Sequence, residues 1–216
     1  MNIDNVLNKY FSGNNKMPSI EMFDEKNIYS VYTHIVNTLH LFPEIELSVL
    51  QALSYCFYEI LDNVLTHSGK KCGFCIYRYL PSVHIIQILV ADDGIGICQS
   101  LQSNNVYRSI SEEEALMKCL EDMVTDGLGM GFGLYSTFRM IQAAGLKLTI
   151  HSGSHILTTD GHQKEVHETD EWQGTTIFFE LRSNAEINAN AVVDFRTDCE
   201  GEFNDNFDND NLEDLW

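Results

Sequence analysis

Glu59-Ile60-Leu61-Asp62-Asn63 places a carboxylate and a carboxamide four residues apart, one turn of helix and one face. Around them Leu47, Leu50, Leu53, Phe57, Ile60, Leu61 and Val64 recur at the helical period. The spacing therefore predicts a long buried helix over 46–66, ended by Ser68-Gly69. His67 continues the polar stripe at i, i+4, i+8. Further along, Asp92-Asp93-Gly94-Ile95-Gly96 closes an apolar, strand-like run over 83–91. Gly127-Leu128-Gly129-Met130-Gly131-Phe132-Gly133-Leu134 then sets glycine at every second position before a helical pattern over 134–144. Acid plus amide, acid plus tight turn, and a glycine-rich helix entrance together point to a nucleotide site.

The rest of the chain frames these stretches. A second helical period runs over 28–41, broken by Pro43. The β-rich runs 74–79 and 83–91, separated by Leu80-Pro81-Ser82, predict a hairpin. Ser111-Glu112-Glu113-Glu114 is a capping box opening a short helix through Leu120. It lies inside a long polar segment, 98–126. Strands are predicted over 147–152 and 175–181, with a polar insertion between them and a turn at Asp160-Gly161. Gly145 stops the helix over 134–144. The expected organisation is a polar N-terminal segment over 1–17, one domain over 18–183, and a disordered tail over 184–216 holding ten acids and one base.

The 216 residues carry a formal net charge of −19. That balance argues against a nucleic-acid binder, which needs clustered Lys and Arg, and against docking on anionic lipid. No apolar run reaches the ~20 residues of a membrane span. The N-terminus has neither the basic nor the apolar part of a signal peptide, so the cytoplasm is the expected compartment. Cys56, Cys98 and Cys119 in apolar patterns suit reduced thiols.

Each chemical signal also has an ordinary reading. Glu59, Asn63 and His67 could be the solvated face of an amphipathic helix. Read as chemistry, a carboxylate can deprotonate an attacking group and an Asn oxygen suits Mg²⁺ carried by phosphates. Asp92 could be a simple strand-to-turn aspartate. At the end of a buried strand it could instead accept a hydrogen bond from an exocyclic amine, selecting adenine over guanine. Gly94 and Gly96 would let the backbone approach the ring. The glycine loop could be a flexible linker, or its amides and those of the following helix could face an anion. The segment before it could then act as a lid.

In this order the residues resemble the GHKL superfamily, which includes DNA gyrase, the heat-shock chaperone of ninety kilodaltons, histidine kinases and MutL-type proteins. The resemblance covers roughly 45–181. Its boxes match at Glu59 and Asn63, at Asp92, Gly94 and Gly96, and at Gly129, Gly131 and Gly133, with a weaker match at Gly174-Thr175-Thr176. It implies a Bergerat ATP-binding fold: an α+β two-layer sandwich, a mixed, mostly antiparallel sheet backed by helices, and an ATP lid. It further implies that Glu59 is the general base, that Asn63 holds Mg²⁺ and that Asp92 reads adenine, with Thr175 near it. The amides from Gly129 to Gly133 and on to Leu134 would cradle phosphate, and His67 would lie near the phosphates.

Within the superfamily, Glu59 points to ATPases and anti-sigma-type serine kinases, because water and serine hydroxyls need a base. The compact layout and the Glu113-Glu114-Ala115-Leu116 stretch also resemble stand-alone bacterial ATP-binding proteins. A histidine-kinase catalytic domain working with a separate phospho-acceptor protein is the weaker alternative. His34 is followed by Ile35-Val36-Asn37, without the usual neighbouring acid or downstream proline, and too few residues precede the domain for a dimerisation hairpin. After the last strand the expected acidic tail stands where a gyrase- or MutL-like clamp would need a transducer domain, so a DNA-driven clamp is not the expected member. An ATP-gated interaction module with little turnover stays open. A regulatory protein partner is expected, and a homodimer is compatible with the resemblance.

Smaller signals read blandly. Cys72-Gly73-Phe74-Cys75 has no second pair, and on a strand its thiols point to opposite faces. His155, His162 and His167, near Asp160, Glu165 and Asp170, read as a solvated hairpin rather than a metal site.

Overall fold

The computed structural model describes residues 3–12, 17–129, 131, 133–144 and 146–188. Among the described residues six α-helices and five strands are formed: α1 (Ile3–Tyr10), β1 (Ser19–Asp24), α2 (Ile28–His40), α3 (Leu47–His67), β2 (Cys72–Leu80), β3 (Ile85–Ala91), α4 (Gly96–Gln102), α5 (Glu112–Lys118), α6 (Gly133–Ala144), β4 (Lys147–Thr159) and β5 (Lys164–Arg182). The strands make one sheet in the order β1-β2-β3-β5-β4. Every pairing is antiparallel, so the sheet is not the mixed one expected.

Side-chain alternation builds two apolar layers. On the inner face, Tyr77 and Tyr79 of β2, Ile86, Ile88 and Val90 of β3, and Ile177 and Phe179 of β5 meet α2, α3 and α6. On the outer face Ile76, Leu89, Ala91 and Phe178 are covered by Val6 of α1 and by Phe11 just after it. β3 is central and buried on both faces, which explains its unbroken apolar run. Helix α3 buries Leu50, Leu53, Phe57, Ile60, Leu61 and Val64 at the predicted spacing and adds Val49, whereas Leu47, at its first residue, is 50% exposed. Its carboxyl end turns at Ser68 into Gly69, whose φ of 71° is the left-handed conformation that glycine adopts without strain.

Three elements differ from the sequence reading. The N-terminal segment is not simply polar, because α1 docks on the outer sheet face. β1 is an edge strand in which Phe23 faces the core while Ile20 and Met22 stay 42% and 58% exposed. Its visible alternation therefore falls on the wrong face. The polar insertion over 153–173 belongs to the β4–β5 hairpin, which runs on past the last β3 pairing at Ala91–Thr176. Beyond that point β5 has no third strand beside it, and one face of the hairpin still packs inward, with Leu157 buried in the core, Val166 packed against it and α5 laid alongside. The turn at Asp160-Gly161 is where it was expected, with Asp160 Oδ1 accepting from the amides of His162 and Gln163 at 2.8 and 2.9 Å. Gly145 and residues 189–216 of the tail lie outside the described residues.

The segment over 98–126 is ordered by α4 and α5. The capping box closes as expected, Ser111 Oγ accepting from the Glu114 amide and Glu114 from that of Ser111. Glu112 then ties α5 to β4, accepting from the amide and hydroxyl of Ser154 at 3.0 and 2.6 Å, with His155 Nδ1 at 2.9 Å. Among the described residues, no helix is long and apolar enough to cross a membrane.

Candidate functional site

The three stretches, far apart in the chain, converge on one cavity of about 410 Å³ between α3, the turn after β3, and the loop before α6. Glu59, Asn63, His67, Asp92, Gly96, Gly129, Gly131, Gly133, Leu134 and Thr175 all line it. Gly94 lies behind Asp92, packed so closely that an added Cβ would fall 2.2 Å from the Ser68 carbonyl oxygen. The volume is within the range of small-molecule sites, about 300–1,000 Å³.

Asp92 forms the buried end. It is 3% exposed. Its Oδ1 accepts from the amides of Gly94 at 2.8 Å and Thr175 at 3.3 Å. Among the described residues no bond is made to Oδ2, which leaves it to a ligand. Burial pushes the carboxyl up to about 6, against the pull of those two amides. Behind it, Gly174 has φ 94°, and an added Cβ would lie 2.4 Å from the Asp92 carbonyl oxygen. Ser152 Oγ donates to the Gly174 carbonyl and accepts from the Ile97 amide, bracing the turn from β4.

The other wall is the polar stripe of α3 against the glycine loop. A Cβ on Gly133 would come within 2.7 Å of Asn63 Nδ2 and 3.4 Å of Glu59 Cβ. One on Gly129 would lie 3.4 Å from His67 Nε2. Gly131, at φ 78°, sits against the Val124 carbonyl oxygen. At Gly129 and Gly133 the backbone can lie against the stripe because those positions carry no side chain. Helix α6 begins there, with Gly133 against Asn63 and Glu59, and the N–H groups of a first turn have no acceptor within their own helix. Met130 and Phe132 lie outside the described residues.

No family model matches the chain, and no curated protein matches it. The site therefore speaks through its own geometry. Its lining holds four carboxylates, Glu59, Asp62, Asp92 and Asp126, and neither Lys nor Arg. A polyanion there would meet backbone amides, His67 and neutral donors such as Asn63 and Thr66, and its charge would have to be offset by a metal cation brought with it.

Sequence reasoning missed Asp126, Ser100 and Ser152. Asp126 bonds His67 across 59 residues of chain and Ser100 across 26. Such contacts leave no local pattern. The remaining histidines stay outside the cavity lining: His34 is exposed on α2, 3.8 Å from Glu21, and His167 pairs with Glu165 at 3.4 Å. Cys72 is exposed and Cys75 buried, on opposite faces of β2. Among the described residues no group of three or more His, Cys, Asp or Glu is arranged to hold a metal ion.

Proposed function

We propose that the chain is a Mg-ATP-binding regulatory protein of the GHKL type, built on a Bergerat fold, that transfers the γ-phosphoryl group to water or to a protein Ser or Thr. The observation that carries this reading is the cavity itself. It has a buried carboxylate with one oxygen unspent at one end. At the other are a carboxylate, a carboxamide and a glycine-lined helix entrance. In the proposal Asp92 Oδ2 accepts from the exocyclic amine of adenine. Asn63 offers its oxygen to the metal, and the amides of the glycine loop and of α6 face phosphate. Bound Mg-ATP would supply the transferable phosphoryl group and the positive charge that an acidic cavity lacks.

Glu59 sits one turn beyond Asn63, half-buried against the start of α6. As general base it takes the proton from the attacking water or hydroxyl, an effect typically worth about 10²- to 10⁴-fold in rate. The five described cysteines are all free thiols, which suits a cytoplasmic setting. The test is turnover of Mg-ATP by wild type beside Glu59→Ala. The variant should keep binding and lose turnover. Turnover surviving in the variant would remove Glu59 as the base. Absence of Mg-ATP binding by the wild type would remove the whole reading.

A further inference from the structure

Glu59, Asn63 and His67 are spaced by one turn each, about 6 Å along the axis of α3. Ser68, next to His67, abuts the Asp92 turn and accepts from the Ile95 amide at 2.9 Å. His67 is therefore the base end of the stripe and Glu59 the far end. The phosphate beside His67 would be the one nearest the base.

The ring of His67 is held by the segment that joins α4 to the glycine loop. Its Nδ1 lies 2.7 Å from Oδ2 of Asp126, whose side chain is only 4% exposed. The same oxygen accepts from Ser100 Oγ at 2.7 Å, and Oδ1 accepts from the Leu128 amide at 2.9 Å. Burial alone would raise this carboxyl, but the amide of Leu128, the Ser100 hydroxyl and His67 together outweigh it and hold it below the usual range. An ionised carboxylate can only accept, so Nδ1 carries its hydrogen toward Asp126. That leaves Nε2 on the side of Gly129, with no hydrogen bond among the described residues.

We propose that Asp126 is a positioning residue, fixing His67 with Nε2 toward the glycine loop so that Nε2–H meets the phosphate nearest the base. The inference rests on the nucleotide reading above and adds to it the charge partner of the phosphate contact. In the proposal the ring lies between two anions, with Nδ1 toward the Asp126 carboxylate and Nε2 toward the phosphate. Through Ser100 and Leu128 the same carboxylate also binds α4 and the loop to α3, so the contact is set by three separate parts of the chain.

The test is calorimetric titration of ADP and of adenosine, with Mg²⁺ present, into wild type, Asp126→Asn, His67→Gln and the double variant. A charge-assisted bond lost should weaken ADP by about tenfold in either single variant, with adenosine unchanged within about twofold. The double variant should be no weaker than His67→Gln alone, because the two act as one unit. Equal weakening of ADP and adenosine would mean that Asp126 merely holds the fold, and would overturn the proposal. Unchanged ADP affinity in His67→Gln would overturn it too, even if Asp126→Asn failed to fold. If the wild type bound neither compound, the nucleotide reading itself would fall.

Discussion

Asp92→Asn should stabilise the ligand-free protein at neutral pH while emptying its site of function. The carboxyl is 3% exposed and pushed up to about 6 from an ordinary 3.8, by burial first. A group whose pKa is raised by folding favours the folded state only while protonated. That contribution is complete below about pH 4 and is lost as pH rises through about 6. At about 1.36 kcal/mol for each tenfold change in proton affinity, ionised Asp92 costs about 3 kcal/mol at pH 8. An Asn keeps the acceptor for the Gly94 and Thr175 amides and carries no charge. The chain nears charge balance at pH about 4.5, so the comparison belongs above that value. Urea unfolding of both proteins at pH 5 and pH 8 isolates the effect. The stability of the variant relative to wild type should rise by roughly 1.5 kcal/mol between those conditions, whatever its offset at pH 5. A difference that stays constant with pH would refute the claim that Asp92 is buried at a cost.

Gly133→Ala should weaken Mg-ATP binding, because its methyl group would sit 2.7 Å from Asn63 Nδ2. Over-packing of this kind costs about 1–3 kcal/mol, and titration beside a thermal unfolding curve would separate lost affinity from lost fold. Chelating Mg²⁺ should lower ATP affinity by about tenfold or more, while adenosine binds as before. The reason is that the cavity wall offers four carboxylates and neither Lys nor Arg against the phosphates. Equal ATP affinity with and without the metal would count against Asn63 as a metal contact.

Much of the site was legible because its parts are local patterns. Glu59, Asn63 and His67 share a face by helical arithmetic alone, and Asp92 with Gly94 is a turn written in five residues. Helices α2, α3 and α6 were legible for the same reason, since each buries one periodic face. The parts that were not legible depend on what lies across space. α1 needs the outer face of the sheet: Ile3, Val6, Leu7 and Tyr10 do fall at the helical period, but eight residues among many asparagines make a short signal, and nothing in them names the surface they cover. β1 is held by β2 on one side only, with Ile20 and Met22 in the open and Phe23 alone of its apolar residues buried. The β4–β5 extension looks like loop because polar residues outnumber the few apolar ones, Leu157, Val166 and Trp172, that reach a core. Asp126 is the clearest case: an aspartate beside glycine reads as a turn, and only the fold brings it to His67.

The most direct test of the central claim is calorimetric titration of Mg-ATP and Mg-GTP into the wild-type protein and Asp92→Asn. The account predicts one-to-one binding of ATP by the wild type, at least tenfold weaker binding of GTP, and loss of that preference in the variant. Equal affinity for the two nucleotides, or an ATP affinity unchanged in Asp92→Asn, would contradict it.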